Sequence, residues 1–223
     1  MSEATQTQTL EQTLNKTDLG HLIYEYRNIF FGTIVAILVG VTGYVLWNQS
    51  RQSKALENSL KVYEFESKTW VDAKAGKVAP ADLIKAFEGL DQNIQTAPSM
   101  LPLVLDMSKF LYEKGSVNES EALLKKIAPS VKHAVASFFL SMQLSAILEK
   151  NGKVDEAISV LEKQAAVKDG LLASKVSLEL GRLYLSKGDK GKAQTQFDFI
   201  LSTYPNDAEA KLAKLYLSQL AAK

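Results

Sequence analysis

The sequence contains no cysteine, which excludes disulfide bonds, thiolate metal ligands and cysteine nucleophiles together. Histidine is almost as scarce. Only His21 and His133 occur, on opposite sides of a long apolar run, so they cannot form a local pair of metal ligands. Basic and acidic side chains nearly cancel, at 26 against 25, so no bulk charge attracts nucleic acid. We therefore expect no metal, no cofactor and no nucleic-acid partner.

Short catalytic signatures are missing as well. The chain has no H-E-x-x-H, no G-x-S-x-G and no G-x-G-x-x-G motif. The segment "SKGDKGKA" resembles a phosphate-binding loop only superficially, because Gly188 and Gly191 are two residues too close and Ala193 replaces the metal-binding hydroxyl. We predict a turn between two helices at this point, no catalytic residues and no enzymatic activity.

One long apolar run is present near the start of the chain. Residues 29–47, "IFFGTIVAILVGVTGYVLW", carry no charge, and a helix of that length reaches about 28 Å, close to the hydrocarbon thickness of a bilayer. Tyr24 and Tyr26 precede the run, and Tyr44 and Trp47 close it, as expected for aromatic side chains at membrane interfaces. A cleaved signal peptide is the competing interpretation, but no small-x-small cleavage site follows the run. We predict a single uncleaved membrane anchor.

The segments beside the anchor differ in character. Residues 1–28 are rich in threonine and glutamine, which predicts a flexible polar tail. Residues 48–75 read as a linker helix leaving the membrane, with Leu56, Leu60, Tyr63 and Trp70 at helical spacing. The basic residues near the anchor do not decide its orientation, since Lys16 and Arg27 precede it while Arg51, Lys54 and Lys61 follow.

Small residues recur inside the anchor at every fourth position. Gly32, Ala36 and Gly40 lie on one helix face, where another membrane helix could approach closely. Glycine and alanine are also common in membrane helices generally, so both interpretations stay open. This face is the candidate helix-packing site, and a homodimer formed through it is one option.

The remainder of the chain, residues 76–223, predicts an all-α repeat domain. Gly115, Gly152 and Gly188 follow one another at intervals of 37 and 36 residues. Each glycine is followed five positions later by a small residue and four positions after that by a large apolar one, namely Ser120 and Leu124, Ala157 and Leu161, and Ala193 and Phe197. Such self-similarity predicts stacked helix–turn–helix units, an α-solenoid.

The last full unit resembles a tetratricopeptide repeat. Between Ser174 and Asp207 it places Leu180-Gly181, Tyr184, Gly188, Ala193, Phe197 and Pro205 at the spacings of that repeat. The closing segment "AEAKLAKLYLSQLAAK" is expected to form a polar-faced capping helix. In tetratricopeptide stacks the first helix of each unit lines the concave face. That register predicts a partner-binding groove in three groups: Leu105, Lys109 and Tyr112; Phe139, Met142 and Ala146; and Lys175, Leu178 and Arg182.

The chain resembles the YfgM-type ancillary subunits of the SecYEG translocon of Gram-negative bacteria. The resemblance rests on the anchor, the linker "WNQSRQSKALENSLKVYE" and the repeats taken together. The resemblance implies an inner-membrane protein with a cytoplasmic N-terminus and a periplasmic repeat domain. It also implies association with the translocon and with a membrane-anchored periplasmic chaperone. The function implied is a scaffold that assists the folding of translocated proteins. The alternative is a structural organiser of an envelope complex that self-associates through its anchor and has no role in secretion.

Overall fold

The computed structural model describes residues 26–166 and 172–221, and all regular structure in these ranges is helical. In chain order the α-helices are α1 Arg27–Phe65, α2 Val71–Lys74, α3 Pro80–Glu88, α4 Gln92–Gln95, α5 Leu101–Glu113, α6 Val117–Ile127, α7 Ala134–Lys150, α8 Val154–Ala165, α9 Ala173–Ser186, α10 Lys190–Thr203 and α11 Ala208–Ala221. The predicted all-α class is confirmed. The predicted flexible tail, residues 1–28, lies outside the described residues except for its last three.

The chain divides into two units, residues 1–56 and 57–223. Among the described residues, one helix, near the N-terminus, is long and apolar enough to cross a membrane, and none of its apolar window is buried. The hydroxyls of Thr33 and Thr42 each donate to the carbonyl four residues earlier at 2.8 Å, so neither hydroxyl needs water. An apolar helical window with no buried residue suggests a single membrane anchor.

The small residues of the anchor lie on an open helix face. Gly32, Ala36 and Gly40 are exposed, and a Cβ added at either glycine would meet no atom within 4 Å. A neighbouring helix would therefore encounter only backbone and a methyl group here. The packing role of this face stays a prediction.

A π-helical turn, Glu66–Trp70, follows α1 and changes which face of the chain is buried. Leu60 and Tyr63 are exposed, whereas Val62 and Phe65 are buried. Because a π turn holds more residues than an α turn, it rotates everything after it about the helix axis. Trp70 is consequently buried, with its ring edge-on to the Phe110 ring at 5.3 Å, although its spacing matches that of the exposed Leu60 and Tyr63.

Three helix pairs form the repeats: α5 with α6, α7 with α8, and α9 with α10. The turn within each pair carries a glycine in the left-handed region, Gly115 at φ 83°, Gly152 at φ 75° and Gly188 at φ 86°. Directly after each glycine, a backbone N–H donates to a carbonyl five residues earlier, at 2.8 or 2.9 Å, which satisfies the end of the first helix. The predicted glycine turns are confirmed.

The small and large residues after each glycine fill the core of their pair. All six are fully buried: Ser120, Ala157 and Ala193, and Leu124, Leu161 and Phe197. The small residue allows the two helices to approach, and the large one fills the space beyond it. The last helix, α11, packs through Ala210 and Ala213. We had predicted a polar outer face for this helix. That prediction is only partly right, because Leu212 and Leu215 are about half exposed there.

Gly181 in α9 touches the ring of Phe197 in α10 so closely that a side chain would collide. A Cβ built on Gly181 lies 2.4 Å from Cε1 and 2.7 Å from Cζ of that ring. We expect Gly181→Ala to lower the free energy of unfolding by about 1–2 kcal/mol, since overpacking outweighs the gain in helix propensity. Denaturation followed by circular dichroism measures the change. Gly191→Ala is the matched control because its nearest atom is 3.9 Å away, and an equal loss there would contradict this explanation.

Candidate partner-binding groove

A groove of about 270 Å³ runs between α5 and α7, the first helices of two successive repeats. Its lining is Lys109, Tyr112, Gln143, Ala146, Ile147 and Lys150. The floor is aliphatic, formed by Ala146 and Ile147, and charged groups stand only at the rim. An apolar floor with a few polar groups at its edge suits a side chain presented by another protein.

Gln143 fixes the spacing of the two helices behind the groove. Its Nε2 donates to the carbonyl of Leu105 at 2.7 Å and to the hydroxyl of Ser108. The carbonyl of Ser108 in turn accepts from the Ser120 hydroxyl at 2.6 Å, which connects α5 to α6. A continuous series of hydrogen bonds thus connects α7, α5 and α6. Because these bonds fix the helices, the groove is largely formed before any partner binds.

Two lysines belong to the lining of the groove. Lys109 is 73% exposed and lies 3.9 Å from the Glu113 carboxylate, a contact too long and too solvated to hold it firmly. Lys150 is exposed, and among the described residues no ion pair engages it. Both carboxylate oxygens of the adjacent Glu149 accept from the Arg182 guanidinium at 2.7 and 2.6 Å, so Glu149 acts on Lys150 only through space.

The predicted first and second groups of groove residues are only partly brought together. Lys109, Tyr112 and Ala146 line the cavity. Leu105 is half-buried and contributes its carbonyl to Gln143. Phe139 is 52% exposed on the same face of α7, and Met142 is half-buried against the core. These two groups remain a prediction as binding residues.

The predicted third group does not continue the groove. Leu178 is only 8% exposed and belongs to the core, so it cannot line an open surface as we had predicted. Arg182 is engaged by its own chain: the bond to Glu149 is supported by a second one from Nε to Glu179 at 2.8 Å. The hydrogen bond from Arg182 lowers the pKa of Glu149 despite burial, and the pKa of Arg182 is raised. Lys175 alone is exposed.

Sequence reasoning missed Gln143, Ile147 and Lys150. Residues three or four positions apart share one face of a helix. Steps of three or four from the predicted Phe139 lead to Gln143, then to Ala146 and Ile147, and then to Lys150. The helical spacing could therefore have found these residues. It could not have shown that Gln143 is turned toward α5 while the carboxylate next to Lys150 is bound by Arg182.

A buried carboxylate connects the same two repeats on their other side. Glu121 in α6 is 6% exposed and accepts from Lys125 and Lys153, each at 2.8 Å, and from Asn151 at 2.7 Å. Burial alone would raise the pKa of Glu121, but these hydrogen bonds outweigh it and lower the pKa to about 2. Lys125 also reaches Glu156 at 2.6 Å, so the network extends into α8. This network stabilises the repeat interface.

Metal-binding side chains are dispersed over the described part of the chain. In those residues no group of three histidine, aspartate or glutamate side chains could hold a metal ion. His133, just before α7, is exposed, and its side chain does not cap the helix. The described surface thus offers a groove, without a cluster of metal-binding side chains.

Comparison with known proteins matches this architecture. The family model of the tetratricopeptide repeat-like domain covers residues 23–222, which include α1 as well as the repeats. An ancillary SecYEG translocon subunit of Haemophilus influenzae is 26% identical over 190 residues. That alignment covers 84% of this chain and 88% of the relative. The similarity therefore extends across nearly the whole of both proteins.

Proposed function

Because the chain belongs to the tetratricopeptide repeat-like family and is a homologue of an ancillary SecYEG translocon subunit, we propose that it is a non-enzymatic, membrane-anchored scaffold of protein export. The anchor, residues 29–47, is a single pass of the inner membrane with the N-terminus in the cytoplasm and the repeats in the periplasm. The repeats bind periplasmic chaperones, the translocon or both, and so assist the folding of translocated proteins.

The observation that carries this proposal is that one chain joins an unburied apolar helix to repeats with an open groove. A small groove alone is expected to bind its partner weakly. Tethering raises the local concentration of a binding site to roughly millimolar for short linkers, so a weak groove suffices beside the channel. Recruitment by proximity therefore fits both features.

Affinity purification tests the scaffold function. The tagged full-length chain, solubilised from membranes in mild detergent, is expected to recover translocon subunits together with a membrane-anchored chaperone. A variant with residues 29–47 replaced by an unrelated apolar span remains in the membrane and shows whether the anchor itself recognises the translocon. Recovery of neither translocon nor chaperone components would contradict the proposal.

A structural organiser that self-associates through its anchor is the second candidate. The open face of Gly32, Ala36 and Gly40 favours it, because nothing in the described chain covers that face. Leucines at Gly32 and Gly40 would block close helix approach. Cross-linking within the membrane should then lose its dimer product, while the control Ile34→Leu/Val41→Leu keeps it. Unchanged cross-linking in the glycine variant would exclude this candidate.

A further inference from the structure

The groove between α5 and α7 combines an aliphatic floor with two lysines. Ala146 and Ile147 share its lining with Lys109 and Lys150. Phe139 is 52% exposed on the same face of α7 but outside this lining, and it lies eleven residues from Lys150, which corresponds to about 16 Å along the helix. A bound segment would thus meet an apolar surface and positive charge in the same groove.

The two lysines of the groove are available to an outside carboxylate. Glu149, the acid nearest to Lys150 along the chain, is held by Arg182 and cannot fold back. Glu113 touches Lys109 only at 3.9 Å, and both groups are more than half exposed. The remaining acid of this stretch of α5, Asp106, is exposed and does not line the groove. Internal ion pairing therefore leaves positive charge at this rim.

We propose, building on the scaffold function, that this groove selects protein segments in which an apolar side chain has acidic neighbours. The apolar side chain lies against Ala146 and Ile147, and a neighbouring carboxylate pairs with Lys109 or Lys150. Tyr112, in the same lining, offers its phenolic group as a further hydrogen-bond donor. Charge complementarity decides which partners bind, while the shallow floor supplies most of the contact area.

An array of synthetic peptides tests this selectivity. The 12-residue peptides carry a central leucine or phenylalanine, with the following positions held at Glu, Gln or Lys. The full-length chain is presented in phosphatidylcholine nanodiscs, so that the bilayer adds no net charge. We expect the Glu peptides to bind about tenfold more tightly than the Gln peptides, with a preference that weakens as salt is added.

Charge reversal supplies the decisive comparison. Lys109→Glu/Lys150→Glu should abolish the preference for Glu peptides and create one for Lys peptides, which a merely structural role of these lysines would not do. The control Lys211→Glu/Lys214→Glu changes net charge equally on the exposed face of α11 and should leave the preference intact. Circular dichroism melting confirms that both variants fold.

Three results would overturn the proposal: no peptide binds, binding ignores charge, or the two double variants behave alike. Translocon recovery by affinity purification is a separate measurement. If it persists while the array shows no acidic preference, the scaffold function stands and only the groove chemistry falls. If both fail, the scaffold function falls as well.

Discussion

Replacing Phe197 by alanine is expected to lower the free energy of unfolding by about 4 kcal/mol, the largest effect of a single substitution that we anticipate. The ring is fully buried between two helices of the last repeat and the closing helix. One side contacts Gly181, and the other stacks on Tyr216 with centroids 5.0 Å apart and an interplanar angle of 7°. Its removal leaves a cavity that the rigid neighbours cannot fill.

Denaturant unfolding of the full-length chain in detergent, followed by circular dichroism, measures this loss. Phe199→Ala is the matched control, because Phe199 is two residues away in α10 but 41% exposed. We expect the control to cost less than about 1 kcal/mol, in proportion to the smaller area that it buries. Similar losses in the two variants would show that α10 is not anchored by Phe197.

Acid should weaken the interface between the first two repeats through Glu121. The pKa of this carboxyl is about 2 in the folded chain against an ordinary value of 4.5, so folding favours its ionised form. The resulting stability is present above about pH 4.5 and is lost as the pH falls toward 2. A pKa difference of roughly 2.5 corresponds to about 3 kcal/mol at full expression.

Glu121→Gln isolates this contribution from that of other carboxylates. At pH 7 the variant should unfold about 2–3 kcal/mol more easily than the parent, and the difference should shrink toward zero near pH 2, where Glu121 is protonated as well. The exposed Glu119→Gln on the same helix should change little at any pH. If Glu121→Gln lowered the free energy of unfolding equally at every pH, the loss would come from packing and not from the charge of Glu121.

The repeat pattern was predictable because each of its signals is local. Gly115, Gly152 and Gly188 end helices by a backbone conformation that needs no distant partner, and their spacing is visible in the sequence. The small residue five positions later follows from the same helix–turn–helix geometry. Fold class and turns therefore follow from residues that are neighbours along the chain.

The groove was only partly predictable because its boundary depends on contacts between repeats. Arg182 was predicted as a groove residue, but the Glu149 carboxylate, 33 residues earlier, holds it. Leu178 is turned into the core by the packing of α9 on its neighbours. The π turn, likewise, cannot be derived from helical spacing, since it breaks the period on which such counting relies.

The ion pairs between successive repeats have a mechanical consequence. Lys153 reaches back to Glu121, Lys187 reaches back to Asp155, and Arg182 reaches back to Glu149, so each pair joins one repeat to the one before it. In a solenoid each repeat contacts only its neighbours, so the stiffness of the whole array depends on the link at each junction between repeats. Salt screens the exposed pair at Lys187 far more than the buried Glu121, so of these links the one at Lys187 weakens first as ionic strength rises.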